Sequence, residues 1–328
     1  MNADSKILKV KNLCKHFPIY TKGLIRRLES EVKAVDQVSF ELTAGMTLGL
    51  VGESGCGKTT TCRTILRALK PTSGEILFKG NGKYIDLAKV GSKQLRSLRQ
   101  KMQMIFQDPF SSLNPRMTVG SIVGESLVIH KMARASELED RIAEMLKKVG
   151  LQSEHAKRFP HAFSGGQRQR IGIARALIMR PSLVVCDEAV SALDVSVQAQ
   201  IINLLEDLQD EFGLTYIFVA HDLSVVRHIS DNVAVMYAGR IVELGKTEAI
   251  FEDPKHPYTK ALLAAVPHPD PDKKLTSDLG GEPPDLANLP SGCSFHPRCP
   301  KKFEPCSKTS PPLTEICEGR CVACHLYF

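Results

Sequence analysis

An apolar run, Met46-Thr47-Leu48-Gly49-Leu50-Val51, leads directly into Gly52-Glu53-Ser54-Gly55-Cys56-Gly57-Lys58-Thr59. The run suits a strand buried on both faces. The glycines after it fit the phosphate-loop pattern G-x-x-x-x-G-K-[ST], and residues 57 to 69 read as the helix that pattern requires, ending before Pro71. Glycines let such a loop wrap so that its N–H groups face a β-phosphate. Lys58 then neutralises the β/γ oxygens and the Thr59 hydroxyl holds Mg²⁺. The expected nucleotide contacts are Gly52, Ser54, Gly55, Cys56, Gly57, Lys58, Thr59 and Thr60.

Further along, strand and helix patterns alternate. Short strands are expected at Ile7–Val10, Lys33–Val35 and Val38–Leu42, and a helical stretch between about 118 and 150 with Ile142, Met145, Leu146 and Val149 on one face. A buried strand follows at Leu183-Val184-Val185-Cys186-Asp187, then a long helix from Val197 to Leu208, a strand from Thr215 to Ala220, and short strands at Val233–Met236 and Arg240–Val242. This alternation implies an α/β domain with a parallel sheet. No internal repeat is visible, so one nucleotide cassette is expected.

Two elements extend the chemistry. Asp187 ends a buried strand and Glu188 follows it; beside a phosphate loop, the first carboxylate suits Mg²⁺ and the second a general base for the attacking water. About a hundred residues after the loop, Phe163-Ser164-Gly165-Gly166-Gln167 opens a basic, helix-like run. Free N–H groups at a helix N-terminus bind anions. One nucleotide needs one cradle, so the second is expected to serve another chain's nucleotide.

Taken in order, these motifs resemble those of the ATP-binding cassette (ABC) ATPases, specifically the ATPase subunit of bacterial oligopeptide/dipeptide-type importers in the peptide/nickel family. Phe163–Gln167 resembles the family's signature motif, Gln107 in Met104-Ile105-Phe106-Gln107-Asp108-Pro109 its glutamine loop, and Ser191-Ala192-Leu193-Asp194 its D-loop. His221 resembles the switch histidine, and Phe17 sits where the family stacks a ring on adenine, with His16 as the alternative contact. The match covers residues 7 to about 245. The narrower resemblance rests on Pro109–Arg116, Val195–Gln198, His256-Pro257-Tyr258-Thr259 and the cysteines of the tail.

The resemblance implies a parallel sheet core with an antiparallel β subdomain and a helical subdomain at about 108–170, all within residues 1–266. It also implies catalytic roles for Glu188, His221, Gln107 and Lys58, and Mg²⁺ contacts from Thr59, Gln107 and Asp187. Ser164, Gly165, Gly166 and Gln167 would close over the nucleotide of a second, related ATPase, head to tail. Two membrane permease subunits, an extracytoplasmic solute-binding protein and a peripheral place on the cytoplasmic face of the inner membrane follow, with peptides as cargo. Import of nickel or another small solute, and a cluster-bearing redox- or metal-sensing regulatory ATPase, are the alternatives. Soluble repair or translation ATPases of this family carry a long coiled-coil insertion or two fused cassettes, and the chain shows neither. The family usually has proline after the catalytic glutamate; Ala189 stands there and is expected to loosen Glu188's placement.

Composition narrows the setting. The formal charge of +7 is spread along the chain, with only a small basic loop at Lys22, Arg26 and Arg27, so no nucleic-acid partner is expected. No run of about eighteen apolar residues suggests a membrane span, and the first residues lack the apolar core of a signal peptide. Ten cysteines in a cytosolic chain are not read as disulfides. Past a Pro-, Asp- and Gly-rich linker at 267–290, six of them crowd into a cysteine-rich extension at 291–328. Cys293, Cys299, Cys306 and Cys324 are spaced C-x5-C-x6-C-x17-C, with Cys317 and Cys321 between the last two. Gathered thiolates in so short a segment suit a metal. Zinc favours C-x2-C pairs, of which Cys321–Cys324 is the one example. The longer spacing resembles peptide-importer ATPases whose extension holds a [4Fe-4S] cluster, which implies Cys293, Cys299, Cys306 and Cys324 as its ligands. Zinc and no metal remain open.

Overall fold

The computed structural model describes residues 6–21, 27–80, 82–265 and 280–328. Lys22, Arg26 and most of the expected linker at 267–290 lie outside the described residues. The chain runs through β1 (Lys6–Tyr20), β2 (Leu28–Thr43), β3 (Thr47–Val51), α1 (Lys58–Ile65), β4 (Ser73–Gly80) and β5 (Lys83–Asp86). Next come α2 (Ser92–Leu98), β6 (Met102–Ile105), α3 (Pro109–Ser112), α4 (Val119–Ile129), α5 (Ala135–Lys148) and α6 (Gly165–Leu177). Then follow β7 (Leu183–Asp187), α7 (Val195–Phe212), β8 (Thr215–Val219), α8 (Leu223–Ile229), β9 (Asn232–Tyr237) and β10 (Arg240–Lys246). The chain closes with α9 (Thr247–Glu252), α10 (Pro257–Ala264), β11 (Thr314–Cys317) and β12 (Arg320–Val322). It divides into two units: residues 1–42, 47–90 and 221–328 form one, and residues 43–46 and 91–220 the other.

In the first unit, β2, β1, β4 and β5 lie side by side in that order. β1 pairs antiparallel with β4, placing Leu8 opposite Phe78, and both are fully buried. β3 pairs in parallel with β9, Leu50 opposite Ala234, and every residue of β3 is buried. That matches the apolar run, which is solvent-free on both faces as a parallel strand requires. α1 is shorter than expected, stopping at Ile65 rather than Leu69. Arg67 takes a left-handed conformation (φ 55°), which ends the helix well before Pro71 can.

The tail is tied into this unit. β12 pairs antiparallel with β10, Glu243 opposite Val322. Glu243 is fully buried and accepts from the Arg320 guanidinium at 2.9 Å and from the N–H groups of Lys255 (2.8 Å) and His256 (2.9 Å). A buried carboxylate needs such partners, and these three anchor both α10 and the tail.

In the second unit, β6, β7 and β8 pair in parallel, Ile105 opposite Cys186 and Cys186 opposite Phe218. α7, expected from Val197 to Leu208, extends over Val195–Phe212; the Asp194 carboxylate caps its start and Gly213 (φ 64°) ends it. The helical stretch resolves into α4 and α5, and Ile142, Met145, Leu146 and Val149 are all buried as their spacing predicts. Among the described residues no helix is long and apolar enough to cross a membrane.

Candidate functional site

The phosphate loop leaves the end of β3 in a conformation that few residues can take. Gly52, Gly55 and Gly57 have φ of 149°, 77° and 108°. A Cβ at Gly52 would stand 2.2 Å from the Met236 carbonyl oxygen, and one at Gly57 2.1 Å from that of Ala34. Both positions exclude a side chain for conformational and steric reasons. Lys58 is buried inside the curl, its Nζ donating to the carbonyls of Gly52 (2.7 Å) and Glu53 (3.0 Å). Cys56 is buried beside it, and burial pushes its thiol up despite the nearby lysine charge, so it is a packing residue and not a nucleophile. Thr59 and Thr60 open α1.

Phe17 and His16 part ways. His16 Nε2 faces Asp36 at 3.6 Å, and Asp36 is bound by Arg240 at 2.6 Å. Successive strand residues point to opposite faces, so Phe17 turns away from that network. Its ring is half-buried and lies 4.7 Å beneath the Lys15 ammonium. Phe17 is inside the long β1 and outside the core. His221 follows β8 by two residues and precedes α8.

In the second unit the parallel register brings two expected catalytic residues together. Ile105 opposite Cys186 puts Gln107 level with Glu188, and Gln107 Nε2 donates to the Glu188 carboxylate at 2.5 Å. Ligands of parallel α/β sheets gather at these carboxyl ends. Asp187 is the last residue of β7 and is 3% exposed; Glu188, 8% exposed, sits at φ 51° with its N–H bonded to the Val219 carbonyl. A left-handed conformation costs a non-glycine residue about 1–2 kcal/mol, and such strain gathers at working sites.

The Ser164–Gln167 element is a capping box. Ser164 Oγ accepts from the Gln167 N–H (3.4 Å), and Gln167 Oε1 accepts from the Ser164 N–H (3.1 Å). Gly165 and Gly166 are the first two residues of α6, at its electropositive end.

In the tail, the thiols of Cys293, Cys299, Cys321 and Cys324 are raised chiefly by burial. Cys306, Cys324 and Cys299 each help raise Cys293, which burial pushes up to about 11. Cys299 also feels Cys306, and Cys324 feels both Cys299 and Cys306, each raised chiefly by burial. Burial, with the nearby Glu315 and Cys317 charges, also pushes the Cys321 thiol up. Among the described residues, no three of the tail's sulfurs lie within 4.8 Å of one another.

Sequence reasoning missed the residues around Glu53. Its N–H donates to the Tyr258 hydroxyl (2.9 Å), and Arg298 holds its carboxylate at 2.8 and 2.9 Å. The signal was present in His256-Pro257-Tyr258-Thr259 and the residue before Cys299, but nothing local shows that both reach the loop.

A glycine-built phosphate loop after one buried parallel strand, and a buried glutamate after another, define an α/β phosphate-loop nucleotide-binding domain. Residues 35–191 match the ABC transporter family, and residues 242–306 match the oligopeptide/dipeptide transporter C-terminal region. The chain is 52% identical over 325 residues to the oligopeptide transport ATP-binding protein AppF of Bacillus subtilis, covering 98% of this chain and 97% of that one. It is also 52% identical over 321 residues to the probable peptide ABC transporter ATP-binding protein y4tS of Sinorhizobium fredii, covering 98% and 90%. Among solved structures it resembles the ATP-binding cassette MJ0796, determined as a dimer in a post-hydrolysis state bound to ADP and Pi (TM-score 0.63, 29% identity, 74% of this chain and 99% of that one). The chain belongs to the ABC transporter family, as a peptide-type ATP-binding subunit.

Proposed function

We propose that this chain hydrolyses ATP to power import of di- and oligopeptides across the bacterial inner membrane. It acts from the cytoplasmic face on two permease subunits supplied by an extracytoplasmic binding protein. The observation that carries the reading is the buried Glu188 carboxylate at the end of β7, held by Gln107. Glu188 takes the proton of the attacking water, which Gln107 and His221 orient by hydrogen bonds. Lys58 neutralises the phosphates within a loop formed by Gly52, Ser54, Gly55, Cys56, Gly57, Thr59 and Thr60, and Phe17 stacks on adenine. Thr59, Gln107 and Asp187 are hard oxygen donors of the kind Mg²⁺ prefers. The ion supplies charge neutralisation at the transferred phosphoryl group.

Ser164, Gly165, Gly166 and Gln167 serve the nucleotide of a related partner ATPase, and the dimeric state of the MJ0796 cassette supports such pairing. The proposed limits are residues 1–266 for the ATPase domain, with its helical part at about 108–170, then a linker at 267–290 and the cysteine-rich extension at 291–328. Peptide cargo is taken from the names of the relatives and the matched C-terminal region. Glu188→Gln is expected to keep ATP binding and lose about 10²–10⁴-fold in turnover; near-normal turnover refutes the general-base role.

For the tail, the crowding of six cysteines past residue 291 and the C-x5-C-x6-C-x17-C spacing favour a [4Fe-4S] cluster on Cys293, Cys299, Cys306 and Cys324, with zinc as the alternative. Such a cluster supplies a redox-active or purely structural crosslink. Protein purified without oxygen is expected to be brown, with iron and acid-labile sulfide. Stoichiometric zinc without iron overturns the assignment.

A further inference from the structure

Glu53, the second residue of the phosphate loop, is held from three sides. Its N–H donates to the Tyr258 hydroxyl at 2.9 Å, and its carbonyl accepts from Lys58 Nζ at 3.0 Å. Its carboxylate receives both ends of the Arg298 guanidinium, at 2.8 and 2.9 Å, in the forked geometry that fixes orientation as well as charge. The pair is sheltered: the Arg298 side chain is 7% exposed and that of Glu53 18%. Arg298 also donates to the Tyr237 hydroxyl at 3.3 Å and, through Nε, to the Gly280 carbonyl at 3.1 Å. Phe295 packs its ring against Tyr237 (5.2 Å) and Tyr258 (5.5 Å), and those two tyrosines pack on each other at 4.6 Å. Arg298 and Phe295 both lie on the tail between Cys293 and Cys299.

We propose that Arg298 is a positioning residue for ATP binding, acting from the cysteine-rich tail through Glu53 on the phosphate loop. Two physical effects run together. Fixing the Glu53 side chain restrains a backbone whose N–H groups must already be aimed when phosphate arrives, so less ordering is left to be done on binding. Arg298 also neutralises a carboxylate that would otherwise face an incoming triphosphate as an unpaired like charge. The role rests on the phosphate-loop reading and is independent of which metal the tail holds. It joins the tail and the His256–Thr259 motif in a single purpose, because both converge on Glu53.

The test measures affinity for a fluorescent ATP analogue, using the full chain carrying Glu188→Gln so that nucleotide is not consumed. Arg298→Met is expected to weaken binding about tenfold, and Arg298→Lys by less, since it keeps the charge and loses the fork. Adding Glu53→Gln to Arg298→Met is expected to recover the part of the loss caused by the stranded carboxylate and to leave the part caused by the unfixed side chain. In the assembled transporter with Glu188 intact, Arg298→Met should raise the KM for ATP and leave kcat near the parent value. Parental affinity in Arg298→Met overturns the proposal. So does an equal loss in the double variant, which would mark a general structural defect. Lys58→Ala, which acts on the phosphate loop with Arg298 in place, tests the underlying site separately.

Discussion

His256 links acid sensitivity to the tail and to the phosphate loop together. The ring is 1% exposed, packs 5.8 Å from Phe295, and accepts the Tyr258 N–H on Nδ1 at 3.0 Å. Its own N–H donates to the buried Glu243 carboxylate. Burial drives the imidazole down to about 3, against a smaller upward pull from its bond to the Ala323 backbone. An unfolded histidine titrates near 6.5, so the folded chain keeps His256 neutral while the unfolded chain takes a proton. The stability this provides is complete above about pH 6.5 and is lost as pH falls from there toward 3. Between pH 7.5 and 5.5 the single group removes about 1.4 kcal/mol, and the limit below pH 3 is about 5 kcal/mol. His256→Asn keeps a capping oxygen for α10 and abolishes the titration. Urea unfolding of both proteins at the two pH values checks this, because the remaining histidines are common to both. The parent should lose about 1.4 kcal/mol more than the variant over that range; equal losses would refute the argument.

Other expectations follow from particular contacts. Glu243→Ala strands the Arg320 guanidinium and two N–H groups and should cost about 3–5 kcal/mol, read from denaturant midpoints at constant slope. Changing Cys317 and Cys321 together to serine should leave iron content unchanged, whereas Cys306→Ser should abolish it; iron analysis with acid-labile sulfide decides between these outcomes. Ala189→Pro stiffens the buried backbone beside the left-handed Glu188 and should raise ATP turnover of the assembled transporter. A rate below the parent would sink that idea.

Elements whose pattern is local were legible in the sequence. The apolar β3 and β7, the glycines of the phosphate loop and the buried stripe of α5 need only the residues around them. Boundaries set by a single backbone conformation were not: α1 ends where Arg67 turns left-handed, and arginine carries no strong signal for that. The pairing of Gln107 with Glu188 lies between these cases. Both residues stand out as candidates in the sequence, but their bond spans 81 positions and follows from a strand register that sequence periodicity cannot supply.

The contact between Arg298 and Glu53, 245 positions apart, is furthest from view, and its chemistry explains why. Seen alone, Glu53 is an acidic residue in a loop meant for phosphate, which reads as a poor choice, and Arg298 reads as a solvated charge in a cysteine-rich tail. Each makes sense only with the other: the guanidinium cancels the charge that would repel the ligand, and the carboxylate justifies burying the guanidinium. A tail that merely held a metal would need its thiols and little else. This one also sends a shielded arginine and an aromatic ring back to the loop that binds the nucleotide, which makes it part of the ATP site's scaffold.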